Sequence, residues 1–123
     1  MTTRRFTIPV VTAADGSATA YSPYLSGRLA SIHYVKNSFE NGVDFTITSE
    51  ATGETLWAES DVNASAARRP RAATHNTSGV ASLYASAGEA VNDLIRLGRD
   101  RVKFVIAAGG NAKSGSFQIV IEG

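Results

Sequence analysis

Apolar residues recur at every second position over five stretches of the chain. Phe6, Ile8 and Val10 alternate with Arg5, Thr7 and Pro9; Ile32 and Tyr34 with Ser31, His33 and Val35; Val43, Phe45 and Ile47 with Asp44, Thr46 and Thr48. Val102, Phe104 and Ile106 alternate with Arg101, Lys103 and Val105, and Phe117, Ile119 and Ile121 with Gln118, Val120 and Glu122. A period of two puts one set of side chains on one face of a pleated strand and the other set opposite, so each stretch predicts a half-buried strand. Pro9 offers no N–H to a ladder, which confines the first strand to a sheet edge or breaks it at a bulge. Asn41-Gly42 and Ala51-Thr52-Gly53 supply turn residues that tolerate positive φ, and Ser31 to Trp57 therefore reads as a three-stranded meander. The run Gly109 to Gly115 reads as a long hairpin loop between the last two strands. It lacks the strand-to-helix setting and the Gly-Lys-Ser/Thr order of a phosphate-binding loop.

Two segments depart from that period. Ala87, Ala90, Val91, Leu94 and Ile95 fall at helical spacing, Ser86 stands three residues before Glu89 as in a capping box, and Gly98 follows. These features predict a short helix over 87–97, with a strand over 90–97 as the alternative because Gly88 weakens the first turn. From Val62 to Gly79 no period is present, and Ala, Ser, Thr and Asn surround Arg68-Arg69-Pro70-Arg71, as expected of an irregular arm over 62–79. The expected architecture is one mainly β domain over 1–123, an antiparallel β-sandwich or jelly-roll-like barrel with a long arm and one short helix.

The length of 123 residues suits one such domain and is short for two. There is no cysteine, which removes disulfides and thiolate chemistry. No stretch reaches the ~20 apolar residues of a membrane helix, and no contact with a membrane is expected. Arg4-Arg5 before Phe6 to Val11 imitates an export leader, but Thr7 and Pro9 interrupt the apolar run and Asp15 lies near the would-be cleavage site, so none is expected. The formal net charge of +1 conceals segregation. Residues 1–36 carry Arg4, Arg5, Arg28 and Lys36 against Asp15; residues 37–67 carry Glu40, Asp44, Glu50, Glu54, Glu59 and Asp61 with no base; residues 68–88 carry Arg68, Arg69 and Arg71 with no acid. Such blocks cancel within a fold or leave opposed patches that steer one copy onto another.

Little in the chain points to a reaction. His33 reads as a residue on the polar face of a strand and His75 as a solvated loop residue, neither beside a second ligand at metal spacing, so no metal site and no cofactor are expected. No serine sits in a nucleophile elbow, and Glu50, Glu54 and Glu59 read as the solvated side of a hairpin rather than a glycosidase pair, so the chain is not expected to be an enzyme. Arg68, Arg69 and Arg71 stand without interleaved aromatic residues, and nucleic acid is not the expected partner. Trp57, after Leu56, reads as core. Arginine and tyrosine are enriched at protein interfaces, which makes Arg68, Arg69, Arg71, Tyr21 and Tyr24 the candidate contact residues, with Arg4 and Arg5 behind them.

Ser26 to Lys36, Gly42 to Thr48, Thr52 to Trp57, and the ending Arg101 to Glu122 with its Gly-Gly-Asn-Ala-Lys-Ser-Gly loop resemble small virion proteins encoded among the head genes of tailed bacteriophages. The likeness is one of overall pattern and carries no diagnostic motif. It implies a β-sandwich, jelly-roll or β-tulip protein that decorates or cements a capsid. Its partner would be the major capsid protein, and it would be a homo-oligomer in the assembled particle, located in the virion and soluble in the host cytoplasm before assembly. The alternatives are a head–tail connector or tail-associated structural protein, and a carbohydrate-binding module.

Overall fold

The computed structural model describes residues 2–123, which form ten strands and, among the described residues, no helix. The strands are β1 (Thr3–Val11), β2 (Ala18–Tyr21), β3 (Leu25–Lys36), β4 (Val43–Ser49), β5 (Thr55–Val62), β6 (Ala66–Arg68), β7 (Arg71–Ala73), β8 (Asn92–Asp100), β9 (Val102–Ala107) and β10 (Ser114–Glu122). They pair antiparallel in two sheets. The first runs β1-β10-β3-β8-β7 with β6 also on β3, and the second runs β2-β9-β4-β5. The sheets face each other as a β-sandwich and do not close into a barrel.

The alternation read from the sequence is what the core uses. Ile8 and Val10 of β1, Ile32 and Tyr34 of β3, Phe45 and Ile47 of β4, Phe104 and Ile106 of β9, and Phe117 and Ile119 of β10 are all buried in one cluster. Phe117 from the first sheet lies against Phe104 and Phe45 from the second, with ring centroids 4.8 and 5.2 Å apart, and Phe45 meets Trp57 edge-on at 4.8 Å. Edge-to-face and offset contacts suit the ring quadrupoles and lock the two sheets in one relative position. Phe39 closes one end of this cluster by lying over Gly115, where a Cβ would come within 2.6 Å of the ring. Trp57 is core, as expected.

Pro9 behaves as its chemistry requires. β1 is an edge strand and pairs with β10 from Thr3↔Glu122 to Val11↔Ser114 without a bulge. The Gly123 amide donates to Thr2 and the Thr12 amide to Lys113, both at 2.9 Å. These bonds turn the even-numbered backbone groups toward β10 and the odd-numbered ones, Pro9 included, toward the open edge. The missing N–H therefore leaves no gap in the ladder.

Four expectations require correction. The segment 87–97 is no helix. Residues 85–88 form a turn, with the Gly88 amide 2.8 Å from the Ala85 carbonyl, and β8 then pairs with β3 and β7. A positive φ of 57° at Ala87 breaks helical geometry where the first turn would have to form. Ser31 to Trp57 is not a meander, since β3 belongs to the first sheet and only β4 and β5 form a hairpin. Likewise β9 and β10 lie in different sheets, so the Gly109 to Gly115 loop crosses the sandwich rather than closing a hairpin. It is tied down, with the Gly109 amide on Gly16, the Glu40 amide on Gly109 and the Thr12 hydroxyl on Gly110. Finally, the irregular arm does not occupy 62–79: β6 and β7 take up Ala66–Arg68 and Arg71–Ala73, and the arm begins beyond β7.

Candidate interaction site

Between β7 and β8 the chain leaves the sandwich and folds back on itself twice. The Thr74 amide donates to Val91 at 2.8 Å, Ser82 to Thr74 at 2.9 Å and Val91 to Ser82 at 2.9 Å. Ser82 is thereby held between the outgoing and returning segments, and His75 bridges Ala81 while Leu83 bridges Ala90. The first tip is closed by Asn76, whose side-chain Oδ1 accepts from the amides of Ser78 at 2.9 Å and Val80 at 3.1 Å, an Asx turn that fits the Asn-Thr-Ser-Gly sequence. The second tip is closed by the Tyr84 amide on Glu89 and the Gly88 amide on Ala85.

This arm, residues 74–91, is fixed by backbone bonds and contributes no side chain to the buried cluster. It presents Val80, Leu83 and Tyr84 with 60%, 45% and 75% of their surface exposed. Its one charged residue is Glu89: from Ala72 to Gly88 there is no Lys, Arg, Asp or Glu, the longest such run in the chain. A protruding segment held by its own backbone bonds, with three exposed large apolar side chains inside a charge-free stretch, offers a surface that a partner can cover.

The seven residues expected at an interface fall in three separate places. Arg68, on β6, lies 5.1 Å from the Trp57 ring centre and forms a 2.7 Å ion pair with Glu59 of β5, so it ties the two sheets together at their edges. The Trp57 indole N–H and, behind it, Arg68 hold the Glu59 carboxyl below its ordinary value. Arg69 stands exposed in the turn between β6 and β7, and exposed Arg71 donates to the Pro70 carbonyl. Tyr21 and Tyr24 are brought together by a residue that sequence reasoning did not select. The Arg101 guanidinium lies 3.9 Å from the Tyr21 ring centre and 5.2 Å from that of Tyr24, while its Nε donates to Glu50 at 2.8 Å. Arg4 and Arg5 lie on β1; Arg4 donates to the Ser26 carbonyl and sits over Phe6, and Arg5 is exposed.

The charge blocks survive folding as two faces. Strands of the first sheet carry Arg4, Arg5, Arg28, Lys36, Arg68, Arg71, Arg96 and Arg99 against Asp93, Asp100 and Glu122, whereas the second carries Asp44, Glu59 and Asp61 against Lys103. The Arg68–Glu59 and Arg101–Glu50 pairs bridge basic and acidic segments at the margins. The most buried carboxylate, Asp100, works structurally. Burial opposes its charge, but the Ser49 hydroxyl and the amides of Ala51 and Arg101, at 3.0 and 2.7 Å, outweigh that and hold the carboxyl below its ordinary value. His33 faces outward from β3 and His75 lies in the arm, and among the described residues no three His, Asp or Glu side chains gather as a metal site.

The fold is thus an open, two-sheet antiparallel β-sandwich with one protruding arm. No protein-family model and no curated protein matches the chain. A similar solved structure is the crystal structure of FLHE, with a TM-score of 0.44 and 10% identity over 98% of each chain. The expectation of a capsid-decorating virion protein, with its connector and carbohydrate-binding alternatives, is corrected here. No family model and no curated protein of the virion class matches, and the similar solved structure bears the name FLHE.

Proposed function

We propose that this chain is a non-catalytic binding domain that docks on a protein surface through the arm 74–91. The exposure of Val80, Leu83 and Tyr84 on a backbone already closed by its own hydrogen bonds carries this reading. Because the arm is pre-shaped, association orders side chains and little main chain, and each large apolar side chain fully buried contributes about 1.5 to 3 kcal/mol. Among the ionisable side chains that the fold perturbs, Asp100 and Glu59 are occupied in hydrogen bonds that hold a loop and a strand edge, and no reaction is assigned to them. The test replaces Tyr84 by a photo-reactive phenylalanine in producing cells, with Thr46 on the outer side of β4 as the control position. One discrete protein adduct from position 84, absent from position 46 and lost on adding Leu83→Asp, is expected. Equal labelling at both positions would overturn the reading.

A further inference from the structure

The first sheet offers the arm a counterpart. Its pairing places Thr7, Gln118, His33 and Ala67 side by side across β1, β10, β3 and β6, with Pro9, Ser116 and Val35 as the next row. These side chains alternate with the buried set and therefore share the outer face. Neither row contains a charge, although the same face carries Arg5 in the row beside them and Arg28, Arg96 and Glu122 toward its other end. His33, Val35, Ser65, Ala67 and Gln118 line a concavity there of about 420 Å³. The hollow is shallow and open to solvent, so it has room for exposed apolar side chains of the arm's kind.

Resting on the docking role proposed for the arm, we propose that its receiver is this uncharged pair of rows of the first sheet on a second copy of the chain. The two surfaces match in the property that sets them apart from the rest of the molecule: the arm's exposed Val80, Leu83 and Tyr84 lie within the charge-free stretch 72–88, and the two rows hold no charge, on a chain with 12 Lys and Arg and 11 Asp and Glu. A strongly charged partner would leave its own charges desolvated and unpaired against either surface. They match in form as well, one being a protrusion and the other a hollow. The hollow is lined by no residue of the chain's own arm, and Val80, Leu83 and Tyr84 remain exposed, so the contact is not made within one molecule. A protrusion meeting a different surface on the next copy is a head-to-tail contact, which builds rings or open chains.

Complementation tests this. Sedimentation velocity is measured on the wild type, on an arm variant (Leu83→Asp with Tyr84→Asp) and on a hollow variant (Val35→Glu with Ala67→Glu), each checked for folding by circular dichroism. The wild type is expected to associate with rising concentration and each variant to remain monomeric. Their equimolar mixture should form dimers and nothing larger, because one intact arm then meets one intact hollow. Since the chain has no cysteine, Tyr84→Cys and Val35→Cys provide a second, milder reading. The mixture should form a disulfide dimer that neither forms alone, and adding Leu83→Asp to the Tyr84→Cys chain should abolish it.

A wild type that stays monomeric with no mixed disulfide overturns self-docking, as does a Val35→Cys chain that pairs with itself as readily. So does a bridge closing within one chain when both cysteines are present. If self-docking fails while position 84 still photo-labels a different protein, the arm remains a docking element and only the assignment of its receiver falls.

Discussion

In the sandwich interior, Phe45, Phe104 and Phe117 meet ring to ring and the backbone around them is bonded strand to strand. In the arm the backbone is held by turns, loop bonds and two isolated bridges, yet Val80, Leu83 and Tyr84 point largely into solvent. The contrast separates two requirements that usually coincide. Hydrogen bonding fixes the course of a chain, while packing of apolar surface supplies most of the free energy that holds it there. The sandwich has both. The arm has the first, and takes the second from whatever it touches.

The largest effect expected from this contrast lies in the core. Phe117→Ala removes the ring shared by both sheets and should cost about 3 to 5 kcal/mol of stability by denaturant titration. A smaller loss would show that the sheets repack around the gap. Asp100→Ala should cost about 1 to 3 kcal/mol, since the Ser49 hydroxyl and two amides lose their acceptor. The sign with pH follows from the lowered carboxyl. Its contribution is complete above the unfolded-state value near 3.8 and disappears as the pH falls through the lower folded-state value. The difference between wild type and Asp100→Ala should therefore be full at neutral pH and shrink in strong acid. An unchanged difference there would break the assignment.

Tyr34→Phe should raise stability by about 1 kcal/mol, because the buried Tyr34 hydroxyl has no hydrogen-bond partner among the protein groups. The smallest effect belongs to the arm, where Leu83→Asp with Tyr84→Asp should change stability by no more than about 0.5 kcal/mol while removing association. A large loss would show that those side chains support the fold and are not held out for a partner.

The strands that pack the interior were legible because their alternation is strong: Phe, Ile and Val occupy every second place in β1, β4, β9 and β10. β2 was not, since Ala18-Thr19-Ala20-Tyr21 alternates residues too small to stand out, and its ladder with β9 exists only in three dimensions. The same limit explains the meander and hairpin that did not form, because turn residues mark where a chain bends but not which sheet the next strand joins. Over 87–97 the helical spacing of Ala87, Ala90, Val91, Leu94 and Ile95 was real. The ladders to β3 and β7 overrode it, with Ile95 and Leu97 facing the core as strand residues.

At the candidate site, residue type and missing charge point to different places. Arg68, expected to face a partner, pairs with Glu59 and lies over Trp57, whereas the arm announces itself by what is missing, a run from Ala72 to Gly88 with no charge. Tyr21 and Tyr24 share the Arg101 guanidinium, and nothing near them in sequence pointed to that residue.

β10 lies between β1 and β3 in the middle of the first sheet, so residues 114–122 supply the shared wall of a structure whose other pieces are made long before them. A nascent chain on the ribosome cannot complete its interior until that segment has emerged, and until then β1 and the inner face of β3 have no lasting partner. Folding should accordingly be late and cooperative, with the emergence of β10 as its trigger, as the dominance of pairings between distant parts of the chain requires.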